Sequence, residues 1–219
     1  MTNQTERKYS LLPLNKVTNR YVAFVDIMGF GRLIRESFKE VIKIYEELIN
    51  STKIIEGFRE DVTIQINSDA FLISSEKLGS MIGVIQGLHM LTLGHDCLVR
   101  GGIGFGKHIE VHQSNNFLVV SQALVQAVEV EKKIKHPCVA LHNSIEVPQD
   151  WWNPDIPPER RGLMYFEGIR LISPFNIGWG QSAMTRVAQL SVQYPEYNDK
   201  YDWFLRLYEA WYSGDPLVP

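Results

Sequence analysis

The chain is poor in the features that mark several large protein classes. It has 219 residues and two cysteines, Cys97 and Cys138. Neither lies in a CxxC pair or beside a histidine at metal-ligand spacing, which excludes a disulfide framework and a zinc knuckle. Two reduced thiols are expected in a cytoplasmic protein. No apolar run approaches the roughly 20 residues that cross a bilayer, so membrane insertion is not expected. The opening MTNQTERKYSLLPLNK has no apolar core of the secretory type. Basic residues number 22 against 25 acidic ones, a net charge of −3, so no global field gathers nucleic acid. There is no HExxH and no GxSxG, and the glycines do not form a dinucleotide fingerprint.

What is present is an ordinary globular composition, 45% apolar and 21% charged, long enough for one substantial domain. Residues 1–18 are polar and read as a flexible arm. The aromatic and β-branched run YVAFVDIM (21–28) reads as a buried strand ending in the turn Gly29-Phe30-Gly31. Ile34, Phe38, Val41, Tyr45, Leu48 and Ile49 then recur at helical spacing as one apolar stripe. DVTIQIN (61–67) and AFLIS (70–74), split by Ser68-Asp69, predict a hairpin. A helix follows on Leu78, Met81, Ile82, Ile85 and Leu88. CLVRGGIGFG (97–106) is a strand entering a glycine-rich bend. NFLVVS (116–121) predicts a strand, residues 123–131 a helix, HPCVALH (136–142) a strand, and YFEGIRLI (165–172) a return to the sheet.

The order β-α-β-β-α-β, extended, predicts an α+β fold of the ferredoxin-like split βαβ kind, with an antiparallel or mixed sheet and helices on one face. The main domain is expected over 19–182. Two helices, the last lined by Trp203, Phe204, Leu207 and Trp211, form a C-terminal extension over 183–219. Between them, VPQDWWNPDIPPERRG (147–162) reads as an ordered loop, because its tryptophans favour burial.

Asp26 interrupts an apolar strand directly before the glycine turn. A carboxylate there is costly unless it binds something, caps the helix or pairs with a basic residue. The helix start after it offers backbone N–H groups suited to phosphate. Asp69 sits at the hairpin tip, where it is either a turn residue or a partner for Asp26. Two convergent carboxylates beside such a turn suit Mg²⁺ or Mn²⁺, and a pair of ions roughly 3.5–4 Å apart clamps an in-line attack at phosphorus. Arg100, inside a strand, pairs with a carboxylate or reaches a nucleotide. Gln65 and Asn67 alternate with Asp69, and their amides suit either a base edge or a solvated strand face. Lys132, Lys133 and Lys135 read as a solvated helix end or a phosphate contact.

These residues together resemble the class III nucleotidyl cyclases. FVDIMGF (24–30) is similar to the family's first metal motif and SDAFLIS (68–74) to its second. LVRGGIGFGKHI (98–109) is similar to its V-R-x-G-I-x-x-G strand, and VSQALVQAVEVE (120–131) to its alanine-spaced helix. The resemblance covers roughly residues 20–142. It implies a homodimer with active sites at the interface, two Mn²⁺ or Mg²⁺ held by Asp26, the Ile27 carbonyl and Asp69, and phosphates at Gly29, Phe30 and Gly31. At the family's base-reading lysine this chain has Gln65. At its base-reading aspartate, ribose-orienting asparagine and transition-state arginine it has residues near Leu118, Val125 and Glu129. These departures point away from ATP. They make the chain similar to the stand-alone pyrimidine cyclases of bacterial anti-phage (Pycsar) defence, which implies cyclic UMP made from UTP for a separate effector, with Arg100, Gln65 and Asn67 as candidate base readers. The alternatives are a cytidylate, adenylate or guanylate cyclase, a nucleotide-binding module without turnover, and an interaction protein that docks through its aromatic tail.

Overall fold

In the computed structural model, residues 14–113, 116–148 and 162–213 are described. The tryptophan-containing loop and most of the N-terminal arm lie outside them. Strand β1 (Thr18–Met28) runs through the centre. After the Gly29 turn come helices α1 (Phe30–Glu36) and α2 (Phe38–Phe58), then β2 (Val62–Asn67), β3 (Ala70–Ser75) and α3 (Leu78–Gly94). β4 (Leu98–Gln113) is followed by β5 (Asn116–Ser121), α4 (Gln122–Lys133) and β6 (Val139–Leu141). The hairpin β7 (Leu163–Phe166) and β8 (Ile169–Ile172) precedes α5 (Gly180–Gln193) and α6 (Asn198–Ser213).

The sheet has the order β2-β3-β1-β4-β6-β8-β7, with β5 paired to β4 beyond the end of β1. The first four strands are antiparallel in the split βαβ order, and β6 runs parallel to β4, so the fold is α+β with a mixed sheet.

Four local expectations are corrected. The stripe expected on one helix is broken at Ser37, whose φ of −156° ends α1. The core then takes Val41, Ile44 and Leu48, a narrower i, i+3, i+7 set, while Ile34, Phe38 and Ile49 lie rotated off it and are exposed. The glycines of β4 do not bend it; the strand continues for 16 residues. Residues 165–172 form two strands, because Glu167 (φ 49°) and Gly168 (φ 80°) make a two-residue left-handed turn. Helices occupy both faces of the sheet.

One face carries α2 and α3. Ala23, Val25 and Ile27 of β1 meet Leu48, Met81 and Ile85 there, all buried. The other face carries α4, against Val22 and Leu72. α4 reaches the sheet because β4 presents glycines to it. A Cβ on Gly104 would overlap the Ala123 carbonyl, and one on Gly102 the Ala127 carbonyl. α5 and α6 build a second core around Phe175, Trp203 and Phe204, to which β7 and β8 contribute Met164 and Leu171. Their neighbours Leu163 and Ile172 enter the first core, so that hairpin is shared between the two.

Candidate active site

Strand register sets the predicted residues in rows. Asp26 lies opposite Ala70 on one side and Arg100 on the other, and Ala70 in turn lies opposite Asn67. The row Asn67–Ala70–Asp26–Arg100 therefore crosses four strands spaced about 4.8 Å apart. The next row on the same face is Gln65–Leu72–Phe24–Gly102. This is the face that α4 covers. Cross-strand pairing thus gathers residues 26, 65, 67 and 100 on one surface.

Asp69 arrives differently. Ser68 adopts a left-handed conformation (φ 56°), and the two-residue turn ends the alternation that carries Gln65 and Asn67. The Ile27 N–H donates to the Asp69 carbonyl at 2.8 Å, which pins the turn against the end of β1. The Asp69 carboxylate is near enough to act on Asp26. The Asp26 carboxyl is pushed up to about 6: burial is the largest cause, the Asp69 and Glu131 charges add to it, and Arg100 opposes it.

Arg100 lies between two acids. Its Nη2 donates to Glu131 Oε1 at 2.6 Å and lies 3.6 Å from Asp26 Oδ2. Glu131, on α4, has only 12% of its side chain exposed. Its own helix gives it no evident role. The signal is present, however. Ala123, Ala127 and Glu131 are spaced by four on a helix, about 6 Å apart. Gly104, Gly102 and Arg100 are spaced by two on a strand, about 6.6 Å apart. The two ladders match in antiparallel order.

The Gly29 turn meets the sequence expectation. Gly29 has φ 83°, the left-handed region in which a side chain is strained, and its carbonyl accepts from the N–H groups of Arg32 and Leu33. Phe30 is buried edge-on against Tyr45, with ring centroids 5.5 Å apart, while Gly31 is exposed. Gln65 holds its amide Nε2 buried with no hydrogen-bond partner among the described residues, whereas Asn67 is exposed.

The donor chemistry fits a divalent ion of the hard class. Two carboxylates and a carbonyl are oxygen donors, and the excess negative charge on Asp26 is incompletely offset by one arginine. Among the described residues no group of three or more His, Cys, Asp or Glu is arranged to hold a metal. A magnesium-type site needs fewer protein ligands, because substrate phosphates complete it. His108 and His112 lie four apart on a strand, about 13 Å along it, rather than on one helical turn. Cys97 and Cys138 are free and buried, and burial pushes the Cys97 thiol up to about 12, so neither is poised as a nucleophile.

The raised carboxyl of Asp26 has a consequence for the metal-free protein. Its folded pKa exceeds the ordinary value, so the folded state retains a proton that the unfolded chain releases between pH 4 and about 6. Stability from this group is therefore greatest below that window and is lost as pH rises through it. In chelator, Asp26→Asn is expected to flatten the fall in urea midpoint between pH 4.5 and 7; a profile identical to wild type contradicts the assignment.

No protein-family model matches the chain, and no curated protein does. Among solved structures it is similar to the adenylyl cyclase CyaB from P. aeruginosa, at 14% identity and a TM-score of 0.45, over 57% of this chain and 77% of that one. It is similar to the guanylyl cyclase Cya2, at 10% identity and 0.44, over 74% and 95%. It is also similar to a bacterial light-regulated adenylyl cyclase, at 17% identity and 0.45, over 80% and 98%. At TM-scores this low the likeness carries nothing about activity, which rests on the residues of the site. Among the described residues, no helix is long and apolar enough to cross a membrane.

Proposed function

We propose that the chain is a nucleotidyl cyclase that converts UTP to 3′,5′-cyclic UMP and pyrophosphate. One observation carries the reading: the Ile27 N–H donates to the Asp69 carbonyl at 2.8 Å, which sets the Ser68-Asp69 turn beside Asp26 at the end of β1, just before a left-handed glycine turn. Asp26, the Ile27 carbonyl and Asp69 would hold two Mn²⁺ or Mg²⁺. Such ions, when bound, supply charge that acidifies the ribose 3′-hydroxyl and neutralises the α-phosphate. The backbone N–H groups at Gly29, Phe30 and Gly31 receive phosphate oxygens. The 3′-oxygen forms a bond to the α-phosphorus, the bond to the β-phosphate bridging oxygen breaks, and the hydroxyl proton leaves to solvent as pyrophosphate departs. Arg100, steadied by Glu131, stands beside the carboxylates. Gln65 offers an unpaired amide to a base that presents two carbonyl acceptors and one N–H.

The product class suits a second messenger for a separate effector, as in anti-phage defence, made in the cytoplasm. Exposed apolar side chains on β5 and α4, Leu118, Val120 and Val125, support a homodimer with its active sites at the interface. Val120→Lys is expected to convert a dimer to a monomer in sedimentation velocity and to lower activity at least tenfold; an unchanged dimer contradicts this interface. Loss of the family's asparagine and arginine at Val125 and Glu129 favours a second reading, nucleotide binding without turnover.

Base choice is tested by incubating the protein with Mn²⁺ and equal ATP, GTP, CTP and UTP and resolving products by mass spectrometry. Cyclic UMP is expected to dominate. A cyclic purine or cyclic CMP replaces the base assignment, and no product from any nucleotide favours the binding module. Gln65→Ala is expected to reduce UTP preference over CTP by roughly tenfold, and unchanged selectivity rules the amide out as the reader.

A further inference from the structure

The helix that opens on the glycine turn is too short to hold itself. α1 has seven residues, Phe30–Glu36, and Ser37 ends it. A helix of that length is marginal in water, so contacts with other elements must fix it. Two side chains supply them on opposite faces, since Phe30 and Arg32 lie about 200° apart around the helix. Phe30 packs against Tyr45 of α2. Arg32 enters a narrow cleft between α1 and the C-terminal segment.

There the guanidinium lies over the Tyr194 ring, 3.8 Å from its centroid, and 5.7 Å from that of Tyr197. Only 14% of the Arg32 side chain is exposed. Nε and Nη1 are buried and have no hydrogen-bond partner among the described residues. The ion pair to Glu36 is long, 3.9 Å from Nε, and the glutamate is exposed. The ring faces therefore supply much of what holds this cation, and a desolvated guanidinium on an aromatic face is at the strong end of such contacts. Tyr194 is itself fixed: its N–H donates to the Leu190 carbonyl at 2.8 Å, and its carbonyl accepts from the Tyr197 N–H at 3.1 Å. The Arg32 N–H donates to the Gly29 carbonyl at 3.0 Å. A continuous line of contacts thus runs from the end of α5 through Arg32 to the turn after Asp26. A second tie reaches the neighbouring strand. Asp96, in the left-handed region (φ 64°) just before β4, accepts at Oδ1 from Arg186 Nε of α5 at 2.6 Å. Met28 and Leu98 are register partners, so the C-terminal segment grips both chain segments at this end of the β1–β4 pair.

We propose that Tyr194 is a positioning residue: its ring holds Arg32, and through Arg32 the glycine turn after Asp26. The C-terminal helices are then part of the site rather than an appendage to it. As a role in turnover this rests on the cyclase reading; as a clamp on the turn it does not. Neither side chain is required to touch substrate.

The test is residue-resolved hydrogen exchange by NMR on the full chain in chelator, read at the Arg32 and Leu33 amides, which both donate to the Gly29 carbonyl. An opening of the turn that breaks the Tyr194 contact must accelerate when that contact is removed, whereas openings elsewhere must not. Tyr194→Leu is expected to speed exchange at both amides about tenfold, the scale of a desolvated cation–π contact. Amides of the β2–β3 hairpin are expected to stay within twofold, and Tyr194→Phe to restore wild-type rates. In an Arg32→Met background, Tyr194→Leu is expected to add less than twofold. Should Tyr194→Leu not fold, judged by circular dichroism, Arg32→Met alone reads the same contact from its other side, again with about tenfold acceleration expected. Unchanged Arg32 and Leu33 rates overturn the clamp, as does a tenfold effect of Tyr194→Leu that persists without Arg32. A second arm follows UTP turnover with Mn²⁺. Tyr194→Leu is expected to raise KM about tenfold with kcat changed less than threefold, and Tyr194→Phe to match wild type. An unchanged KM in a variant whose turn amides are accelerated overturns the positioning role. A wild type that forms no cyclic product removes the cyclase reading instead, and the exchange arm then decides the clamp.

Discussion

Asp26→Asn is expected to lower cyclic nucleotide formation on the order of 10³-fold, because it removes a metal-ligating charge while keeping side-chain shape. Asp69→Asn is expected to do the same. The effect on the fold runs the other way. At pH 7 the Asp26 carboxylate is held half-buried near a second acid, with its pKa raised to about 6. A neutral amide there removes that electrostatic cost, so the metal-free variant is expected to be at least as stable as wild type. Activity lost with stability kept or gained marks a residue retained for chemistry rather than packing. Steady-state rates and urea midpoints on the same samples check both halves. A variant that is active, or one that is inactive only because it unfolds, contradicts the role.

The second large effect is structural. Gly102→Val is expected to destabilise the protein by about 3 kcal/mol or more, at the upper end of overpacking costs. The added Cβ would overlap the Ala127 carbonyl of α4 and approach Val130 Cβ at 2.6 Å and the Glu131 nitrogen at 2.9 Å, and α4 has no flexible side chain to move aside there. Lifting α4 also withdraws Glu131 from Arg100, whose bond to it is 2.6 Å long. Loss of activity should therefore exceed what the unfolded fraction explains. Gly57→Ala is the control, since no atom lies within 4 Å of a Cβ there. Urea unfolding of both variants checks the contrast, and equal midpoints would remove the close approach of α4 from the account.

The legible parts of the sequence were those set by local pattern. The apolar run before Gly29 and the hairpin around Ser68-Asp69 each read directly, and the split βαβ order followed from them, whereas the glycines of β4 read as a bend in a strand that continues through them. The shared face of Asp26, Gln65, Asn67 and Arg100 depended on strand order and register, which the order of elements constrains. What escaped was set by pairing between distant segments. The placement of α4 on the second face depends on glycines and alanines matching across about twenty residues, and no single-helix pattern contains that. Glu131 escaped for the same reason: on its own helix it is one acid before two lysines. The break at Ser37 escaped because the apolar spacing runs across it, although Ser37-Phe38-Lys39-Glu40 carries the S-x-x-E pattern of a helix start. The cleft around Arg32 joins α1 to the C-terminal helices, a contact that neither segment foretells.

The account stands most directly on the fate of the α-phosphate. Wild-type protein with Mn²⁺ would be given UTP and, separately, 3′-deoxy-UTP, with products followed by ³¹P NMR. The account predicts cyclic phosphodiester and pyrophosphate in equal amounts from UTP, and neither from the 3′-deoxy nucleotide. Release of inorganic phosphate, or the same pyrophosphate yield from both nucleotides, would mean that water rather than the 3′-hydroxyl attacks, and would contradict it.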